Sequence, residues 1–193
     1  LRRTYLKIIG RIPTLEEGRE FLEDRDRSTK RRKLVDKLLA SEGFNSNWFH
    51  FWADILRAKE RINNNRAGGG AFIDYIKESI ASNKPYDKWV KEMLSSTGPL
   101  WQEGNGAVGY YARDAGMPLD NMSNTVRIFL GTSLECAQCH DHPFDRWTQK
   151  QFYEMAAYTN GMGRVERKDA PHIKEMNKLV RDEQRKWEKS DNP

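Results

Sequence analysis

The chain has 193 residues, 33 Lys+Arg against 28 Asp+Glu, a formal net charge of +5, and only two cysteines. That length supports one sizeable core or one domain with a helical extension. Two cysteines exclude a multi-disulfide scaffold, and no run approaches the stretch of about 18 apolar residues that spans a membrane. The basic excess sits at the ends: residues 1–40 carry 12 Lys+Arg against 7 Asp+Glu, residues 41–160 carry 12 against 14, and residues 161–193 carry 9 against 7. With no recognition fold beside that charge, a nucleic-acid partner is not expected.

The first predicted helix, from Arg2 to Ile9, stops at Gly10 and Pro13. Thr14 and Glu17 form a capping box for a second helix to about Glu23, with Leu15, Phe21 and Leu22 as buried candidates. Ser28 is the expected cap of a third, basic helix whose apolar stripe is Leu34, Val35, Leu38 and Leu39. Its run Lys30 to Lys33 reads as a solvated face. Gly43 is expected to end that helix, and an aromatic helix from Asn45 or Ser46 carries Trp48, Phe49, Phe51, Trp52 and Leu56, with His50 among them. Asn63 to Gly70, polar and then triple glycine, reads as a loop. Helices follow through Phe72 to Ile80 and Trp89 to Leu94.

Residues 100–119 combine glycines with Trp101, Tyr110 and Tyr111, which suggests a packed loop over a cofactor or an aromatic-anchored surface loop. Asp120 is expected to cap a helix with Met122, Val126 and Phe129 on one face, and Ser133 to Cys139 to form a short turn or helix. Thr148 and Gln151 make a second capping box, for a helix with Phe152, Tyr153, Met155, Ala156 and Ala157. The tail has a narrow stripe of Ile173, Met176, Val180 and Trp187 on a charged helix, suited to packing on this domain or to contact with a neighbouring chain or domain. The fold class is therefore all-α: a multi-helix domain over residues 1–163, and a charged amphipathic C-terminal helix or linker over residues 164–193.

Both cysteines lie in Cys136-Ala137-Gln138-Cys139-His140, which spells C-x-x-C-H. That order is the attachment signature of a c-type haem: two thiols three residues apart each add to one vinyl group, and the next histidine is held against the iron. On this reading one covalent haem c is bound, with Cys136 and Cys139 as thioether anchors and His140 as the proximal iron ligand. His142 is too close in sequence to reach the opposite face of the same iron, and a hydrogen bond to a propionate or within the turn suits it better. Met122 is the first choice for the sixth ligand, followed by Met117, Met155, Met162 and His50. Met/His ligation makes an electron carrier, whereas an open position permits ligand binding or enzymatic chemistry. Cys136, Cys139, His140 and His142 also have the chemistry of a partial zinc site, and a plain dithiol is the remaining alternative.

Several motifs in order resemble one known family. They are Arg2-Arg3-x-Tyr5-Leu6 with Gly10-x-x-Pro13-Thr14, Leu34-Val35-Asp36-x-Leu38-Leu39-Ala40-Ser41, Trp52-Ala53-Asp54, Phe129-Leu130-Gly131, and Cys136-Ala137-x-Cys139-His140-Asp141-His142-x-Phe144-Asp145. Together they resemble the planctomycete-type cytochrome c-like domain family, uncharacterised domains of large secreted proteins, from Leu1 to about Gly161. The resemblance implies an extracytoplasmic setting, periplasmic or secreted, and neighbouring domains in one polypeptide. It implies no known reaction. This chain departs from the family at Phe51, where many relatives carry histidine, which weakens the carry-over of a ligand role to His50, one place earlier. The chain begins at Leu1 with neither Met nor a secretory signal and reads as part of something longer. The expected work is one-electron transfer with a redox partner protein or neighbouring domain. The alternatives are a haem enzyme or ligand binder with an open sixth site, and a zinc-stabilised or haem-free interaction module.

Overall fold

The computed structural model describes residues 1–62, 66–67, 69–100, 102–114, 117–160 and 171–189. Among them the all-α expectation holds, with ten α-helices: α1 (Arg2–Ile9), α2 (Leu15–Glu23), α3 (Lys30–Leu39), α4 (Glu42–Ile55), α5 (Gly70–Ala81), α6 (Tyr86–Ser95), α7 (Gly109–Ala112), α8 (Pro118–Phe129), α9 (Gln149–Asn160) and α10 (Pro171–Lys189). The loop between α4 and α5 adds a two-residue antiparallel ladder, β1 (Arg61–Ile62) against β2 (Arg66–Ala67). Among the described residues no helix is long and apolar enough to cross a membrane.

Local chemistry sets the helix ends. Glu17 N–H donates to Thr14 Oγ1 at 3.3 Å and Thr14 N–H to Glu17 Oε2 at 2.7 Å, which starts α2 as the capping box predicts. Arg11 grips the same carboxylate at 2.8 Å through both terminal nitrogens and holds its pKa down to about 2. Ser28, by contrast, does not cap α3. Its amide and hydroxyl donate to Asp26 at 3.2 and 2.6 Å, and Thr29 stands at the N-cap with its hydroxyl also given to Asp26 and none to the helix. A carboxylate is the stronger acceptor, and Asp26 has captured the hydroxyl that spacing assigned to the helix.

Other boundaries also differ from expectation. Helix α4 begins at Glu42 and runs through Gly43. A Cβ on Gly43 would lie 3.0 Å from Ile9 Cβ, so the glycine admits α1 close against α4 and does not break a helix. Asp120 lies in the first turn of α8, whose start is set by Pro118 after Met117. Leu15 and Leu22 are 64% and 75% exposed, and Phe21 alone of the three expected core residues of α2 is partly buried against α1 and α3.

The core is divided. Tyr5, Ile9, Leu34 and Leu38 join α1 to α3. Leu56, Phe72, Tyr75, Ile76, Ile80, Trp89, Met93, Ala107 and Tyr110 join α5, α6 and the segment through α7, with Trp48, Phe49 and Trp52 of α4 packed against them. The aromatic helix is therefore a partly buried wall of this cluster. Gly106 and Gly109 are contact points: a Cβ on Gly106 would stand 2.3 Å from Ala71 O, and one on Gly109 2.3 Å from Phe72 Cβ. This segment packs directly on α5. Buried Asp114 receives the Arg57 guanidinium and, at 3.3 Å, Asn121 Nδ2, tying the end of α4 to α8.

The third cluster is Met122, Val126, Leu134, Ala137, Phe152 and Ala156, between α8, α9 and the cysteine-bearing turn. Beyond α9, the expected domain boundary at residue 163 lies outside the described residues, as do the side chains of Ile173 and Met176. On α10, Val180 and Trp187 are exposed.

Candidate functional site

The C-x-x-C-H stretch is mounted on the third cluster. Helix α8 ends at Phe129 with Leu130 as its C-cap, Gly131 turns the chain at φ +64°, and Glu135–Gln138 form one 3-10 turn. Three residues per turn place i and i+3 side chains over one another. Leu134 and Ala137 therefore both point inward, at 5% and 0% exposure, while Cys136 and Cys139 share an outward face and are free, exposed thiols. Ala137 is what the fold needs between the cysteines: a larger side chain would collide with Met122 and Phe152 beneath it.

The two histidines after the turn are held in opposite tautomers. His140 Nδ1 lies 2.6 Å from the Asp141 carbonyl oxygen. A carbonyl only accepts, so Nδ1 carries a proton, and in the neutral ring it is Nε2 that holds the lone pair, on an exposed side chain. His142 Nδ1 instead accepts the Phe144 N–H at 3.2 Å. Its proton is therefore on Nε2, which makes neutral His142 a donor and unsuited to bind a metal through that atom. His142 N–H also donates to Trp147 O at 2.8 Å, closing the loop.

Helix α9 fixes this loop from its first turn. Thr148 N–H donates to Gln151 Oε1 at 3.0 Å and Gln151 N–H to Thr148 Oγ1 at 3.2 Å, the predicted capping box. Gln149 N–H donates to Asp141 Oδ1 at 2.8 Å, where a carboxylate meets the positive end of the helix. Gln149 Nε2 and Tyr153 Oη both donate to Gln138 O, at 3.1 and 3.2 Å. Sequence reasoning missed Asp141, Gln149 and Tyr153 as supports. The available signal was the i, i+4 spacing of Gln149 and Tyr153, offset from the buried pair Phe152 and Ala156.

On the opposite flank of α9, Gln151, Met155 and Tyr158 line a groove of about 470 Å³ with Val126, Leu134 and Trp147. Met122, at 0% exposure, is locked in the cluster behind Ala137. Met117 and His50 are exposed, Met155 lies at the groove, and Met162 is outside the described residues. Among the described residues no three or more His, Cys, Asp or Glu side chains gather where they could hold a metal ion.

A family model described as PSCyt2, protein of unknown function (DUF1549), matches residues 1–164. The chain belongs to the PSCyt2 family. The matched span takes in α1 to α9 and the whole cysteine–histidine loop, and α10 lies beyond it. No curated protein and no solved structure matches this PSCyt2 chain.

Proposed function

We propose that this chain is a single-haem c-type cytochrome domain that works in one-electron transfer within a larger extracytoplasmic protein or complex. The observation that carries the reading is the pairing of two exposed thiols, within and just after the 3-10 turn, with the exposed His140 ring whose Nδ1 is held by the Asp141 carbonyl. A covalent haem needs its thioether sulfurs at the rim of the macrocycle and its imidazole at the centre, so these groups need not converge on one point. A closed zinc site requires convergence of three or four ligands, and the absence of such a group among the described residues favours haem over zinc.

Each residue has a role in that arrangement. Cys136 and Cys139 anchor the group, and His140 supplies the proximal nitrogen. The Asp141 carbonyl keeps the His140 ring in the ligating tautomer, as second partners of metal-bound imidazoles do. Gln149 and Tyr153 hold the carbonyl of Gln138 and so fix the turn between the thiols and the imidazole. His142, with its proton on Nε2, donates to an anionic group such as a propionate. When bound, haem c supplies a one-electron couple whose potential is set by axial ligation and water access. Because both thiols lie at the surface, an electron passes to a redox partner protein or a neighbouring domain docked on that side.

One observation favours a second reading, a domain with an open sixth position that binds a small ligand. Met122 has no exposed surface, and its sulfur reaches a group outside the cluster only if the core between α8 and α9 opens. Two measurements test these readings. The intact mass of protein made with the haem-attachment machinery should rise by one haem and stay unchanged in a Cys136→Ser/Cys139→Ser variant. Carbon monoxide added to the reduced protein then separates a strong sixth ligand, which resists displacement, from an open site, which gives an immediate carbonyl spectrum.

A further inference from the structure

Phe144 is 93% exposed, more than any other large apolar side chain among the described residues. It is not at a slack loop tip. Its own N–H is held by His142 Nδ1 at 3.2 Å, the loop is closed by His142 N–H to Trp147 O at 2.8 Å, and its start is tied to α9 by Gln149 N–H to Asp141 Oδ1 at 2.8 Å. Leaving a phenylalanine in water forgoes the gain of burying its ring, so a backbone pinned to hold it there points to something that covers it. The loop belongs to the ligand: Phe144 follows His140 by four residues, and the latch that orients it is the ring of His142.

We propose that Phe144 is the apolar side wall of the haem site, a positioning residue that packs on the macrocycle anchored by Cys136 and Cys139 and excludes water from it. This rests on the haem reading and assigns it a residue. The occupant is the haem itself, because the same short hydrogen-bonded loop carries both the axial nitrogen and the exposed ring. Removing the wall admits water, which favours the more highly charged oxidised iron and lowers the reduction potential.

The test uses the whole chain made with the haem-attachment machinery. Hydroxyl-radical footprinting should modify Phe144 several-fold less in the haem-loaded wild type than in the Cys136→Ser/Cys139→Ser variant. Phe144→Ala should keep its covalent haem but show a lower potential, largely restored in Phe144→Leu and unchanged in Tyr158→Ala, whose ring is 86% exposed on α9. Phe144 makes no core contact, so unfolding of Phe144→Ala should match wild type and a folding defect does not explain the shift. A loaded wild type with Phe144 fully modified, or a Phe144→Ala potential equal to wild type, overturns this inference alone. A wild type that takes up no haem overturns it together with the reading beneath it.

Discussion

Phe152→Ala tests whether the cysteine-bearing turn depends on the cluster beneath it. Phe152 is 0% exposed and packs among Met122, Val126, Leu134, Ala137 and Ala156, so α8, α9 and the turn all rest on its ring. A wholly buried phenylalanine removes about 150–200 Å² of mainly apolar surface from water, which at about 25 cal/mol per Å² is about 4–5 kcal/mol. Measured Phe→Ala truncations in cores cost about 3–5 kcal/mol. Since a domain is stable by about 5–15 kcal/mol in all, the variant should unfold at a much lower urea concentration by circular dichroism. Native-state hydrogen exchange should show the first loss of protection in α8, α9 and residues 134–139, with α5 and α6 affected least, because they are packed in a separate cluster. Tyr158→Ala, an exposed change on the same helix, should stay within about 0.5 kcal/mol of wild type. A Phe152→Ala cost below about 1 kcal/mol, or uniform loss of protection, would refute the reasoning.

Two other expectations follow from measured contacts. Gly106→Ala places a Cβ against the Ala71 carbonyl, a backbone atom within α5 that has no rotamer to move, and should cost about 1–3 kcal/mol by thermal or urea unfolding; an unchanged midpoint would contradict that close approach. The Arg11 clamp holds the Glu17 pKa at about 2, below its ordinary value of 4.5, so its stabilisation is complete above the ordinary value and is lost as pH falls through the lowered one. The pair faces solvent, so the contribution is about 0.5–1 kcal/mol. Glu17→Gln should therefore lose stability relative to wild type near neutral pH and converge with it in acid, read as urea midpoints across that window; a constant gap would show that the charge is not the source.

The architecture was readable where one local interaction decides the outcome. Thr14 with Glu17 and Thr148 with Gln151 each close a reciprocal pair within three residues, and nothing distant competes. The spacing of Met122 and Val126, or of Phe72, Ile76 and Ile80, states which face is buried, since one helix period repeats. The failures share a cause in competition or in partners remote in sequence. Ser28 lost its cap role to a carboxylate two residues away, and Gly43 was read as a stop because its reason for being glycine, Ile9, lies 34 residues earlier. Leu15 and Leu22 have the residue type of a core but sit on a helix that meets the protein with its other face.

At the site, the motif announced the cysteines and His140, and the turn preserved their spacing. Which nitrogen of His140 is free was not in the sequence, because the Asp141 carbonyl fixes it through loop geometry. Met122 was expected as a possible sixth ligand from its place on the stripe of α8, and that stripe lies in the cluster beneath the turn, where Met122 is fully buried.

The most direct test is a pyridine haemochrome spectrum, with a haem stain on a denaturing gel, of the chain produced with the haem-attachment machinery. The account predicts covalent haem at one per chain, retained through denaturation and abolished by Cys136→Ser with Cys139→Ser. Protein of correct mass and helical content that carries no covalent haem under those conditions would contradict it.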